Sequence, residues 1–190
     1  MSETKYIKIY TKKGDLGKTS LWNGERTGKN SIIIKALGEL DKLSVTIGDY
    51  CVVLGFSDKN LGRKNFLREI QRLIQDINTH VATPDTNKVL PVLNQEIIER
   101  MEKDIDNVTM NLPPLTNFII PCQYENDTKA HYCRVQTRIA ESYLVDVSEY
   151  FESRGISLNP FCLKFLNRLS DYFFTIARYE SYLSELISTK

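Results

Sequence analysis

Apolar residues recur every three or four positions through five successive segments of this chain, and that spacing points to helices throughout. Residues 31–54 carry Ile33, Leu37, Leu40, Leu43, Ile47, Cys51 and Leu54 at this interval. The run 59–82 carries Phe66, Leu67, Ile70, Leu73, Ile74 and Ile77 and stops near Pro84; the run 91–111 carries Ile97, Ile98, Met101, Ile105 and Val108 and ends at Pro113-Pro114. A fourth run covers 127–152. A fifth opens at Asn159-Pro160, where proline suits a first helical turn, and continues to 187. Five helices with short connections predict an all-α, five-helix up-down bundle. At 190 residues and 21.9 kDa the chain suits one domain, 1–190, around one core.

The first 30 residues break this pattern. Thr11-Lys-Lys-Gly-Asp-Leu-Gly-Lys-Thr-Ser-Leu-Trp-Asn-Gly-Glu-Arg26 is dense in Gly, Thr and Lys and has no helical period, so an ordered loop or short hairpin is expected. GDLGKTS is not a P-loop: only Asp15 and Leu16 separate Gly14 from Gly17, and no α/β alternation follows. Gly-rich backbone amides, hydroxyls and lysines still suit a polyphosphate. A flexible basic terminus would have the same composition.

A formal net charge of +1, with acids and bases interspersed, gives no electrostatic case for nucleic acid or an anionic membrane. No apolar run approaches the roughly 20 residues that span a bilayer. The opening residues lack the apolar core of a signal peptide, so the expected setting is the cytoplasm, or the mitochondrion if a targeting segment has been removed. Cys51, Cys122, Cys133 and Cys162 show no CxxC or Cys/His ligand spacing and read as reduced thiols.

The fourth segment carries the clearest chemistry. At 100° per residue, Cys133, Ala140, Leu144, Val147 and Phe151 fall within an arc of about 60°, a core stripe. Opposite them, His131, Arg134, Arg138 and Glu141 fall within about 80°. Two guanidinium forks on one face can hold a phosphate chain; a solvated charged face has the same pattern. In the first helix Asp41 lies among Gly38, Ser44 and Gly48, small residues that let a neighbour approach, and an acid beside an apolar stripe calls for a partner. An arginine of the fourth helix is the natural one; a surface carboxylate at a helix edge is the plainer reading.

Taken in order, these segments resemble the ATP:corrinoid adenosyltransferases of the propanediol-utilisation type over nearly the whole chain. YTKKGDLGKTSLWNGER (10–26) is similar to the family's nucleotide loop, LGELDKL (37–43) to its first-helix motif and QRLIQDINTHVATP (71–84) to the end of its second helix. FIIPCQYENDTKAHYCRVQTRIAES (118–142) is similar to the segment around its two arginines, and FLNRLSDYFFTIARY (165–179) to its final-helix motif.

The resemblance implies roles residue by residue. Thr11, Lys12, Gly14, Asp15, Gly17, Lys18, Thr19 and Ser20 fall on the loop that wraps the ATP triphosphate, and Lys29 on the lysine that follows it. Arg138, Glu141 and Asn167 fall on positions that hold ATP. Asp41 and Arg134 fall on an ion pair linking subunits near the corrinoid, and Phe118 on the aromatic that helps expel its lower axial ligand. His131 coincides with a family histidine and is assigned a supporting role.

A homotrimer with inter-subunit sites is implied, with Mg²⁺ accompanying the triphosphate. A flavoprotein reductase and an adenosylcobalamin-dependent enzyme are the implied partners. The implied reaction moves the 5′-deoxyadenosyl group of ATP to the cobalt of cob(I)alamin, with cob(II)alamin bound base-off for its reduction.

Three departures from the family pattern stand out. Cys122, Gln123 and Tyr124 follow Pro121 where two glycines are usual. Arg138-Ile139-Ala140-Glu141-Ser142 lacks two arginines, and Asp41-Lys42-Leu43-Ser44 replaces Asp-Glu-Leu-Asn. They motivate an alternative, a divergent carrier or sensor that binds ATP or corrinoid without turnover.

Overall fold

The computed structural model describes residues 10, 12–55, 58–84 and 89–188. Five helices form: α1 (Ile32–Val53), α2 (Asp58–Val81), α3 (Glu96–Thr109), α4 (Glu125–Glu152) and α5 (Phe161–Ser188). Before them, β1 (Lys18–Ser20) and β2 (Arg26–Gly28) make the expected hairpin, antiparallel with Thr19 opposite Thr27. None of the helices described is long and apolar enough to cross a membrane.

Local chemistry sets the ends. Ser31 caps α1, its side chain accepting from the Ile34 amide. Gly55 ends that helix with φ of +67°, a left-handed conformation that glycine adopts without steric cost. The third helix starts at Glu96 rather than 91, because Pro91 belongs to a strap: the His80 ring lies 2.9 Å from the Pro91 carbonyl, and Leu93 is buried. The Asn94 side chain then accepts from the Glu96 amide.

Successive helices alternate in direction. Asp49 pairs with Lys129 and Glu39 with Gln136, so α1 and α4 run antiparallel. Asn126 meets Glu180 while Asn167 meets Glu141, which sets α4 antiparallel to α5. Helix α4 lies between α1 and α5, α3 packs on α5 and α2 on α1. Where α2 crosses α1 the small residues matter. Gln71 donates to the Ser44 carbonyl, and a Cβ on Gly48 would stand 3.3 Å from its amide nitrogen.

The expected α4 stripe of Cys133, Ala140, Leu144, Val147 and Phe151 is buried against Leu40, Leu43 and Ile47 of α1 and the aromatic α5. Phe66 of α2 meets Tyr172 edge-on, with ring centroids 5.6 Å apart. All four cysteines are free thiols, and three are buried.

Candidate functional site

The N-terminal loop is a chain of tight turns. The Asp15 amide donates to the Lys12 carbonyl and the Gly17 amide to that of Gly14. Gly17 sits at φ +74°, and its carbonyl accepts from the Lys29 amide at 2.9 Å. The Lys29 ammonium folds over Gly14, where a Cβ would approach it to 3.2 Å. Lys12, at φ +59°, and Lys18 project into solvent; Thr19 is half-buried in β1 and Ser20 takes a bond from Arg26. Thr11 lies outside the described residues. Lys12, Lys18 and Lys29 thus share one short hairpin of tight turns, a concentration of positive charge suited to a polyanion.

This hairpin docks at the end of the bundle where α2 and α4 finish. Trp22 donates its amide to the Ala82 carbonyl, Asn23 its side-chain amide to Pro84, and Glu25 pairs with Arg154 at 3.6 Å.

A second cluster lies where the middle of α4 faces the second turn of α5. The Asn167 amide donates to Glu141 at 3.1 Å, joining the helices, and Arg138 stands one turn before Glu141. Arg138 is exposed and has no hydrogen-bond or ion-pair partner among the described residues. It borders a shallow concavity of about 350 Å³ with Arg134, Val135, Ile139, Ser142 and Tyr143. A guanidinium held on a rigid helix with no internal partner is free to take an external anion.

The third cluster is at the opposite end, where α4 begins. There the segment 112–123 arches over the first turns of α4 and the last turns of α5, enclosing a cavity of about 310 Å³. Phe118 lies at its rim and is fully solvent-accessible, with Ile119 and Ile120 beside it. Phe118 is therefore not a core aromatic. Asp127 anchors the arch: its carboxylate accepts from the Tyr124 amide at 2.8 Å and from the Gln123 amide at 3.1 Å. Cys122, directly after Pro121 where the resemblance leads one to expect the first glycine, keeps a left-handed φ of +69°. Sequence reasoning missed Asp127; an acid three residues into a helix was the available signal.

His131 corrects one expectation. It does not lie on an exposed face with Arg138 but is buried, 4% accessible, beneath the arch. Its Nδ1 accepts from the Arg134 Nε at 3.2 Å, so the imidazole helps orient that arginine. Burial, then the Arg134 charge, hold its pKa below 6.5, with Asp127 opposing. The sign follows: the unfolded state takes up the proton first, so this contribution to stability is complete above pH 6.5 and is lost as pH falls through the folded pKa. The thermal midpoint should therefore drop as pH falls below 6.5, and His131→Gln should flatten that drop. An unchanged slope would remove His131 as its source.

Asp41 and Arg134 do not meet within the chain. Asp41 is exposed on α1 and has no partner among the described residues.

Against known proteins, a family model described as cobalamin adenosyltransferase matches residues 9–180. The chain belongs to the cobalamin adenosyltransferase family. Corrinoid adenosyltransferase MMAB of Homo sapiens is 37% identical over 183 residues, covering 90% of this chain and 68% of that protein. The corresponding Bos taurus protein is 36% identical, covering 92% of this chain and 72% of its own length. Among solved structures, a PduO-type ATP:corrinoid adenosyltransferase variant from Lactobacillus reuteri, complexed with cobalamin and ATP, superposes with a TM-score of 0.83. It is 33% identical, and the match covers 94% of this chain and 96% of that one.

Proposed function

We propose that the chain transfers the 5′-deoxyadenosyl group of ATP to cob(I)alamin in a site completed between two copies of a homotrimer. One observation supports the shared site: the lysine-rich hairpin and the arched cavity sit at opposite ends of the bundle. Helix α4 alone, 28 residues, is about 42 Å long. One ATP cannot bridge that span, whereas a neighbouring copy laid against the outer face of α1 and α4 brings a hairpin to a foreign cavity. That face exposes Val45, Tyr132, Val135 and Ile139 around the unpaired Asp41 and Arg138, a composition suited to burial by a second copy.

The reaction asks little of the protein in acid–base terms. The cobalt electron pair forms a bond to the 5′ carbon, and the carbon–oxygen bond breaks with its electrons leaving on triphosphate. No proton moves. Lys12, Lys18, Lys29 and Arg138 hold and neutralise that leaving group, and Glu141 with Asn167 fixes the nucleoside end. No group of three or more His, Cys, Asp or Glu among the described residues could hold a metal ion alone. Mg²⁺ fits as a companion of ATP, bound by phosphate oxygens and water, where it adds positive charge at the triphosphate.

The cavity serves the corrinoid. Phe118, Ile119 and Ile120 give the arch an exposed apolar surface; set against the corrinoid, it would favour loss of the lower axial ligand and ease reduction of cob(II) to cob(I). A flavoprotein reductase would supply the electron, and an adenosylcobalamin-dependent enzyme would take the product.

An anaerobic assay with chemically reduced cob(I)alamin, ATP and Mg²⁺ tests the activity through the spectral change to adenosylcobalamin. No turnover with ATP still bound would favour a carrier or sensor. Phe118→Ala should lower the base-off fraction of bound cob(II)alamin while leaving the KM for ATP within about twofold. For the inter-subunit pair, Asp41→Ala and Arg134→Ala should each reduce kcat/KM for cob(I)alamin, and the double variant should be no worse than the poorer single one. The expected coupling is about 1–3 kcal/mol; additive losses would mean the two residues do not meet.

A further inference from the structure

Glu180 is a buried carboxylate, 5% accessible, in the last third of α5, and none of the three clusters uses it. Its oxygens collect donors from three other helices. The Tyr50 hydroxyl of α1 donates to Oε1 at 3.1 Å, the Arg63 guanidinium of α2 to the same oxygen, and the Asn126 amide of α4 to Oε2 at 3.2 Å. Arg63 is itself mostly buried, with its guanidinium 5.0 Å above the Tyr179 ring. A buried charge so fully partnered fixes the geometry of the groups around it.

The neighbours of this cluster form the arched cavity. Arg178, Ser181 and Tyr182, on either side of Glu180, line one wall, and Asp127, next to Asn126, lines the other. Asp127 in turn holds the amides of Gln123 and Tyr124, at the root of the segment bearing Phe118. Polar contacts therefore run from Arg63 through Glu180 to Asn126, and its chain neighbour Asp127 holds the root of the arch.

We propose that Glu180, set by Arg63, is a positioning residue for the corrinoid: it clamps the first turn of α4, and with it the Phe118 arch, against α5. This rests on the cavity being the corrinoid site. The plain alternative is a staple that stabilises the bundle and nothing more. A site must be held within about 0.5 Å to work well, so loosening the clamp should act on the corrinoid before it acts on ATP.

Asn126→Ala removes the link to α4 while leaving Arg63 and Tyr50 on Glu180. It should raise the KM for cob(I)alamin about tenfold, lower the base-off fraction of bound cob(II)alamin, and leave the KM for ATP within about twofold. Glu180→Gln should do the same more severely, and if it fails to fold, Asn126→Ala carries the test alone. Lys129→Ala is the control, because it breaks the 2.7 Å pair to Asp49 from the same end of α4 but on its α1 side. It should leave both substrates unaffected. Equal changes in both KM values, or a lowered melting temperature with corrinoid kinetics unchanged, would reduce Glu180 to a staple. Phe118→Ala separates the two ideas. If it leaves the corrinoid spectrum untouched, the cavity assignment fails. If it changes the spectrum and Asn126→Ala does not, only the clamp fails.

Discussion

Arg138→Ala is expected to lower kcat/KM for ATP about 10²- to 10³-fold without changing the melting temperature by more than a degree or so. The two halves of that result have separate causes. Arg138 is exposed and makes no hydrogen bond or ion pair with the described residues, so its truncation leaves nothing buried and unpaired. Its guanidinium instead stands one turn from Glu141, which Asn167 holds in place across the helix pair, and it faces the concavity that it lines with Arg134. Two parallel N–H donors match two phosphate oxygens, and charge on those oxygens grows as the carbon–oxygen bond breaks. Arg138→Lys keeps the charge and loses the fork, so it should recover only part of the rate. Steady-state kinetics with ATP varied at saturating cob(I)alamin measures this. A loss below about threefold would displace Arg138 from the site.

The largest effect on stability is expected at Phe173. Its ring is fully buried in the middle of α5, 5.7 Å from that of Tyr172, within the layer where α5 meets the rest of the bundle. Phe173→Ala removes most of an aromatic side chain from a site whose neighbours are locked by their own helices and cannot collapse into the space. The expected cost is about 3–5 kcal/mol. Against a total stability of about 5–15 kcal/mol, that is a large share of what holds the fold. Urea unfolding should show a lowered midpoint at constant slope. The adjacent Phe174, only half-buried, should lose clearly less on the same truncation. Equal costs at the two positions would mean that α5 is seated differently from the packing described.

The departures from the family pattern take on physical content beside these residues. After Pro121, where the family usually has two glycines, Cys122 keeps a left-handed φ of +69°, and the Gln123 and Tyr124 amides are both held by Asp127. The arch therefore ends in a side-chain cap at the start of α4. The missing arginines after Arg138 are Ile139 and Ser142, which line the same shallow concavity on the face proposed to meet a neighbouring copy.

What the sequence determined by itself is what depends on local spacing. A helix buries residues three and four apart whatever it packs against, so all five helices were legible. So was the α4 stripe from Cys133 to Phe151, with ends within a few residues, except where Pro91 and its strap delay α3. The hairpin was legible only as one of two readings, since a Gly/Thr/Lys-rich stretch without helical period also fits a flexible terminus; the pairing of β1 with β2 decided it. Tertiary structure decided whatever depends on which residues lie opposite each other in space. The helical wheel put His131 with Arg134, Arg138 and Glu141 on one face, but the arch and α5 cover the first turns of α4 and bury it while Arg138 stays in solvent. Glu180 looked like one more charge at the end of a helix. Three donors from 54 to 130 residues away make it a buried hub. Asp41 and Arg134 were paired by resemblance, and the fold of a single chain leaves them apart. Periodicity fixes which side of a helix is apolar, but only packing fixes what lies against the other side.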